Sequence, residues 1–170
     1  MLAVFLVLLV LNRGSAKGAG AGAPVGCDAS TQVAVHYHAH LDLFRSGRRI
    51  PVPAGVGNSG KCTHWLHTNQ ADGIVHLAAP ASVGSRLFTL GDFLTVWGQP
   101  PPSAQAGILQ VGPGQQLQVW QDGHRFTGGP SALVLRPHTQ VVVELGPPFV
   151  APPAYDWHSP AAVREGASRT

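Results

Sequence analysis

Charged residues and several catalytic signatures are scarce in this sequence. Asp, Glu, Lys and Arg make up only 11% of the 170 residues, and Glu occurs twice, so a glycosidase-type pair of carboxylates is not indicated. The longest basic run is Arg48-Arg49, which is too short to form a phosphate-binding patch, and no nucleic-acid partner is expected. The chain also lacks the HExxH, GxSxG and GxxxxGK motifs of zinc proteases, serine hydrolases and phosphate-binding loops.

The N-terminal segment differs in composition from the rest of the chain. Leu2 to Leu11 is an apolar run, which is too short for a membrane span of ~20 residues but typical of the central region of a signal peptide. A Gly/Ala-rich linker follows. We expect residues 1–23 to be a signal peptide or uncleaved anchor plus this linker. The protein is then exported, periplasmic or extracellular, and either released or tethered to the membrane.

Sulfur is almost absent. The only methionine is Met1, and the only cysteines are Cys27 and Cys62. An isolated cysteine pair in an exported chain predicts one disulfide. With both thiols bonded and no internal methionine, a soft Cu(I) site or a blue-copper centre lacks its sulfur ligands.

Gly and Pro are plentiful, and they favour turns and short strands over long helices. Within Val33–Phe44, apolar and polar residues alternate strictly from Val35 to Leu43, which predicts a strand. The segments "CTHWLHT", "GIVHLAAP", "SALVLRP" and "TQVVVELG" predict further strands, and "LQVWQDGHRF" predicts a hairpin with Asp-Gly at its tip. One short helix is predicted at about residues 89–97. The fold class is mostly β, a sandwich or barrel of about seven or eight short strands, with a single domain at 24–148 and a Pro-rich irregular tail at 149–170.

The nine histidines form the main functional signal. On the first long strand, His36, His38 and His40 lie at every second position, and Asp42 continues the series. Rings two residues apart leave the same face of a strand with Cα atoms ~6.6 Å apart, which allows both to bind one ion. His36 and His40 are ~13 Å apart, which is too far for one ion.

These spacings predict a metal site formed by His38 and His40. His67 and His76 would complete it from a neighbouring hairpin, whose loop runs from residue 69 to residue 73. His36 is a further candidate ligand, and Asp42 is a candidate acceptor for the second ring nitrogen of a ligand histidine. Neutral imidazoles suit Zn²⁺ or Cu(II).

Three functions remain open at this point. The first is an exported His-rich metal-binding protein, a carrier, buffer or sensor of Zn²⁺ or Cu(II). The second is a metal-dependent hydrolase or lyase that uses a multi-histidine site with an open coordination position. The third is a structural or ligand-binding β domain whose histidines are incidental.

The motifs "HYHAHLDLF", "PAGVG", "CTHWLHT", "GIVH", "FTLGDFLTVWGQP" and "HTQVVVELG" together resemble a group of uncharacterised bacterial exported proteins. The resemblance covers Cys27 to about Pro148, and it implies export and a role for the histidine segments. In that group the second segment reads His-Thr-His-Asp, whereas this chain has Asn69 and Gln70 at the last two positions. If the replaced histidine is a ligand in the group, the resemblance implies weaker metal binding here, or none.

Overall fold

The computed structural model describes residues 24–28, 33–98 and 109–158, and the predicted leader at 1–23 lies outside them. The described residues form one α-helix, α1, at Leu90–Trp97. They also form nine strands, and the prediction of a mostly-β fold with one short helix is confirmed. The strands are β1 (Cys27–Asp28), β2 (Val35–Arg45), β3 (Arg48–Ile50), β4 (Thr63–His64), β5 (Leu66–His67), β6 (Ile74–Ala79), β7 (Gln116–Gln121), β8 (His124–Phe126) and β9 (Gln140–Gly146).

The strands form two sheets. β1 and β4 pair as a small antiparallel sheet, and the other seven strands form a larger sheet in the order β5-β6-β2-β9-β7-β8, with β3 paired to β2. All neighbours are antiparallel except β2 and β9, which run parallel. In the part of the chain that the structure describes, this order is open at β5 and β8, so the sheet does not close into a barrel.

The alternation of β2 separates two faces of the large sheet. Ala39, Leu41 and Leu43 lie on one face, and each is at most 2% exposed. They belong to the hydrophobic core, so this face of the strand packs inward. The opposite face carries the histidine series and Asp42, and we call it the polar face.

Helix α1 covers part of the apolar face. Thr89 caps its first turn, because its hydroxyl accepts from the Asp92 backbone amide while the Asp92 carboxylate accepts from the Thr89 amide. The buried side chains of the helix join the same core as β2. They are Leu90, Phe93, Val96 and Trp97.

Two sequence-predicted strands take a different form. "CTHWLHT" is divided at Trp65 into β4 and β5, because β4 pairs with β1 whereas β5 pairs with β6. "SALVLRP" is not a strand: Pro130–Ala132 is a 3-10 turn, and Val134 makes only an isolated bridge to Thr89. Its alternation reflects burial, since Leu133 and Leu135 are buried in the core beside the start of the helix.

The predicted hairpin at the end of β7 is confirmed. Gln121 pairs with His124, and Asp122 and Gly123 form the two-residue tip. Both tip residues have positive φ angles of 51° and 78°, the conformation that an Asp-Gly turn favours.

Residues 147–158, which we call the strap, are irregular and lie over the part of the polar face formed by β9 and His40. The Val150 amide donates to Glu144, and the Tyr155 amide donates to the side chain of Gln140. The amide nitrogen of Gln140 donates in turn to the carbonyl of Pro153. Because Gln140 and Glu144 are buried on β9, these bonds hold the strap against the sheet.

Candidate metal centre

Strand register places three histidines in a row across the polar face. His38 on β2 is directly opposite His76 on β6, and His76 is opposite His67 on β5. Directly opposed residues share a face of the sheet, so all three rings leave the same surface. The predicted return of His67 toward His76 across the 69–73 loop is therefore confirmed.

Three of the imidazole rings come close enough to share an ion. The rings of His38 and His76 meet edge to face with centroids 4.5 Å apart, and His36 meets His38 in the same way at 4.8 Å. One ring nitrogen from each of His36, His38 and His76 lies within 4.8 Å of the other two, and together these could hold a metal ion. Nitrogens on a tetrahedral Zn²⁺ are about 3.4 Å apart at the usual Zn–N distance, so side-chain rotations would bring the three together.

Burial changes across this candidate centre. His76 is only 2% exposed, His38 is half-buried and His36 is exposed. The centre therefore extends from the sheet interior to the surface. Its donor atoms are all imidazole nitrogens, and neutral nitrogen donors are suited to Zn²⁺ and Cu(II).

Two neighbours hold His76 in place. The His67 ring stacks on it with centroids 5.1 Å apart, and the Asn69 side-chain amide nitrogen donates to His76 Nε2 at 3.1 Å. His67 Nδ1 lies 3.0 Å from the carbonyl oxygen of His64, so this nitrogen carries the proton and donates. His67 thus lies beside the group of three nitrogens and outside its 4.8 Å limit.

His40 has a separate environment on the same strand. Its Nε2 lies 3.1 Å from the backbone oxygen of Asp72, its Nδ1 lies 3.4 Å from Asp42, and its ring stacks on Tyr155 at 3.7 Å. Burial lowers the pKa of His40 because desolvation disfavours the imidazolium ion, and the negative charge of Asp42 opposes this effect. His40 therefore connects β2 to the 69–73 loop, through Asp72, and to the strap, through Tyr155.

The arrangement differs from the predicted ligand set. The three-histidine group contains His38 and His76 as predicted, includes the further candidate His36, and contains neither His40 nor His67. Among the described residues Asp42 pairs with His40 and Arg49, so it supports His40 and not a member of the group.

Cross-strand register explains this difference. A spacing of two residues suits the pair 36/38 as well as the pair 38/40, so alternation alone does not distinguish them. The register of β6 distinguishes the two pairs, because it places His76 opposite His38 and the apolar Ile74 opposite His40. The small side chain of Ala78 lies opposite His36. Writing the β6 sequence antiparallel to that of β2, with His76 opposite His38, would have favoured the pair His36 and His38.

The predicted disulfide is confirmed. Cys27 and Cys62 are bonded, with Cα atoms 5.6 Å apart. The bond joins the segment that contains β1 to the segment that leads into β4, and His64 Nδ1 lies 3.2 Å from the Val25 carbonyl oxygen beside it. Disulfides persist in oxidising compartments, which agrees with a location outside the cytoplasm.

No helix among the described residues has the length and apolar character needed to cross a bilayer.

Comparison with known proteins does not place this chain in a family, so its function is inferred from the geometry of the candidate metal centre. No protein-family model, no curated protein and no solved structure matches this chain.

Proposed function

We propose that this chain is an exported metal-binding protein that takes Zn²⁺ or Cu(II) at the candidate metal centre and acts as a carrier, buffer or sensor. The observation that supports it is the convergence of one nitrogen each from His36, His38 and His76 within 4.8 Å. Two of these residues are paired across adjacent strands, so their separation is set by the backbone of the sheet.

The chemistry of the donors favours these two ions. Imidazole is a borderline ligand that suits Zn²⁺ and Cu(II), whereas Ca²⁺ and Mg²⁺ prefer oxygen ligands. Both cysteines are bonded to each other, so no thiolate from Cys27 or Cys62 enters the centre. A neutral donor set on a sheet surface is consistent with a site that takes up and releases its ion.

Export is supported by three features. The Cys27–Cys62 disulfide indicates an oxidising compartment. The apolar run at the N-terminus is typical of a signal peptide, and the resemblance to bacterial exported proteins points in the same direction.

Calorimetric titration of the metal-free protein with Zn²⁺ and with Cu²⁺ tests the proposal. We expect saturable binding of one equivalent, and loss of that equivalent in the His38→Ala/His76→Ala double variant. His124→Ala is the matched control, because His124 is exposed on β8 away from the centre, and it should bind as the wild type does. Circular dichroism of each variant establishes that it is folded. If the folded wild type binds neither ion more tightly than the micromolar range, the histidines are incidental.

A further inference from the structure

We infer that an ion at His36, His38 and His76 keeps an open coordination position and takes a small anion there, such as hydroxide, bicarbonate or a carboxylate. This inference rests on the proposed function. It assigns the centre a second ligand, supplied from solution, in addition to the metal. Carriers that fully enclose their ion have no such position, so the two designs are experimentally distinguishable.

The three donors approach from one side. His36 and His38 leave the same face of β2, and His76 leaves that face of the adjacent strand β6. An ion bound by all three therefore lies above the sheet, with its protein ligands confined to the hemisphere below it. His36 is exposed, so the centre reaches solvent on its outer side.

The nearest other donors among the described residues lie outside the group of three. The His67 ring stacks on His76 with centroids 5.1 Å apart, and His67 is not one of the residues whose nitrogens lie within 4.8 Å of one another. Asp42 is buried between His40 and Arg49. No further His, Cys, Asp or Glu of the described residues joins the three within the 4.8 Å limit. The centre thus resembles the three-ligand type in which an exogenous molecule completes the tetrahedron.

Charge selects an anion for that position. Three neutral imidazoles leave a divalent ion with its full charge of +2, and no carboxylate belongs to the group. The ion is partly shielded from water because His76 is buried, which strengthens its attraction for an anion. A small monoanion fills the open coordination position and neutralises part of the charge of the ion.

Substitution with Co²⁺ provides the test, because the visible bands of Co²⁺ report coordination number and ligand type. We expect the Co²⁺-loaded wild type to show bands that change saturably on titration with azide, the probe anion. Ala78→His should abolish this response. Ala78 lies opposite His36 and two residues from His76 on the same face, so a histidine there supplies a fourth imidazole. Ala78→Ser, which adds no ring, is the matched control and should keep the response.

The outcomes separate the two proposals. If Co²⁺ binds but azide changes nothing in the wild type, the open position is refuted and metal binding stands. If the response persists in a folded Ala78→His protein that binds Co²⁺ through the new ring, the anion does not occupy the inferred position. If the folded wild type takes up no Co²⁺, Zn²⁺ or Cu²⁺, the proposed function itself fails.

Discussion

His38 and His76 lie directly opposite each other on β2 and β6, and their rings meet edge to face at 4.5 Å with an interplanar angle of 82°. The register of a central pair of strands sets this relationship, and no flexible loop is involved. Such a pair is preorganised, so metal binding there requires little ordering of the backbone.

Metal affinity should fall as the pH is lowered through about 6.5, the ordinary pKa of an imidazole. The sign follows from competition, because an ion and a proton require the same lone pair and only the neutral ring binds metal. Calorimetry at several pH values between about 5.5 and 7.5 measures the effect. An affinity that is constant over this range would show that imidazoles are not the ligands.

Leu41→Ala should lower the free energy of unfolding by about 2–5 kcal/mol, because it leaves a cavity in a packed core. Leu41 is 2% exposed on the central strand β2, on the face opposite the histidines. Denaturant unfolding gives the value. Val111→Ala is the control, since Val111 is 52% exposed and its truncation should cost less than about 0.5 kcal/mol. A loss below about 1 kcal/mol for Leu41→Ala would contradict the position of β2 in the core.

The Cys27→Ser/Cys62→Ser variant should lose about 3–4 kcal/mol of stability in the chain-entropy account of disulfides. The bonded residues are 35 positions apart, so the bond restricts a long loop of the unfolded chain. Thermal or denaturant unfolding with and without reductant measures the loss. Peptide mapping without reductant should show the linked peptides in the wild type. Two freely alkylated thiols in native protein would refute the bond.

Gln140→Ala should loosen the strap. The side chain of Gln140 makes two hydrogen bonds to strap backbone, at 2.7 Å to Pro153 and 2.9 Å to Tyr155, and their loss should cost about 1–3 kcal/mol. Amide hydrogen exchange of the peptide containing Tyr155 is the direct readout, and it should accelerate. Gln70→Ala, at an exposed position of the 69–73 loop, should leave that exchange unchanged. Equal exchange in both variants would mean that Gln140 does not hold the strap.

The elements that depend on neighbouring residues could be predicted from the sequence. Thr89 and Asp92 signal the start of the helix through a four-residue pattern, and Asp122-Gly123 signals a hairpin tip. The alternation of Val33–Phe44 identifies both faces of β2 because a strand has a period of two. In each case the information lies within a short window of the chain.

The elements that depend on residues distant in the sequence could not be predicted from it. The parallel pairing of β2 with β9 places Gln140 beside His40, and this brings the strap over a histidine that the spacing alone assigns to the metal. The sequence "HYHAH" by itself does not indicate which residue of an adjacent strand lies beside each imidazole ring. The choice between His36 and His40 as the partner of His38 follows only from the register of β6. The alternation around Leu133 arises because Leu133 and Leu135 are buried in the core, and it does not mark a paired strand.

Asn69→His should strengthen metal binding by about tenfold or more, or about 1.4 kcal/mol, because it adds an imidazole donor beside the three histidines. The Asn69 amide already contacts His76 Nε2 at 3.1 Å, so an imidazole at this position would reach the same nitrogen group. The resemblance to exported proteins with histidine here motivates the same change. Asn69→Ala is the matched control, because it removes the amide contact without adding a donor. Calorimetry with Zn²⁺ measures both variants. Tighter binding in Asn69→Ala alone would instead mean that the amide competes with the ion for His76. Equal affinity of Asn69→His and the wild type would place residue 69 outside the reach of the centre.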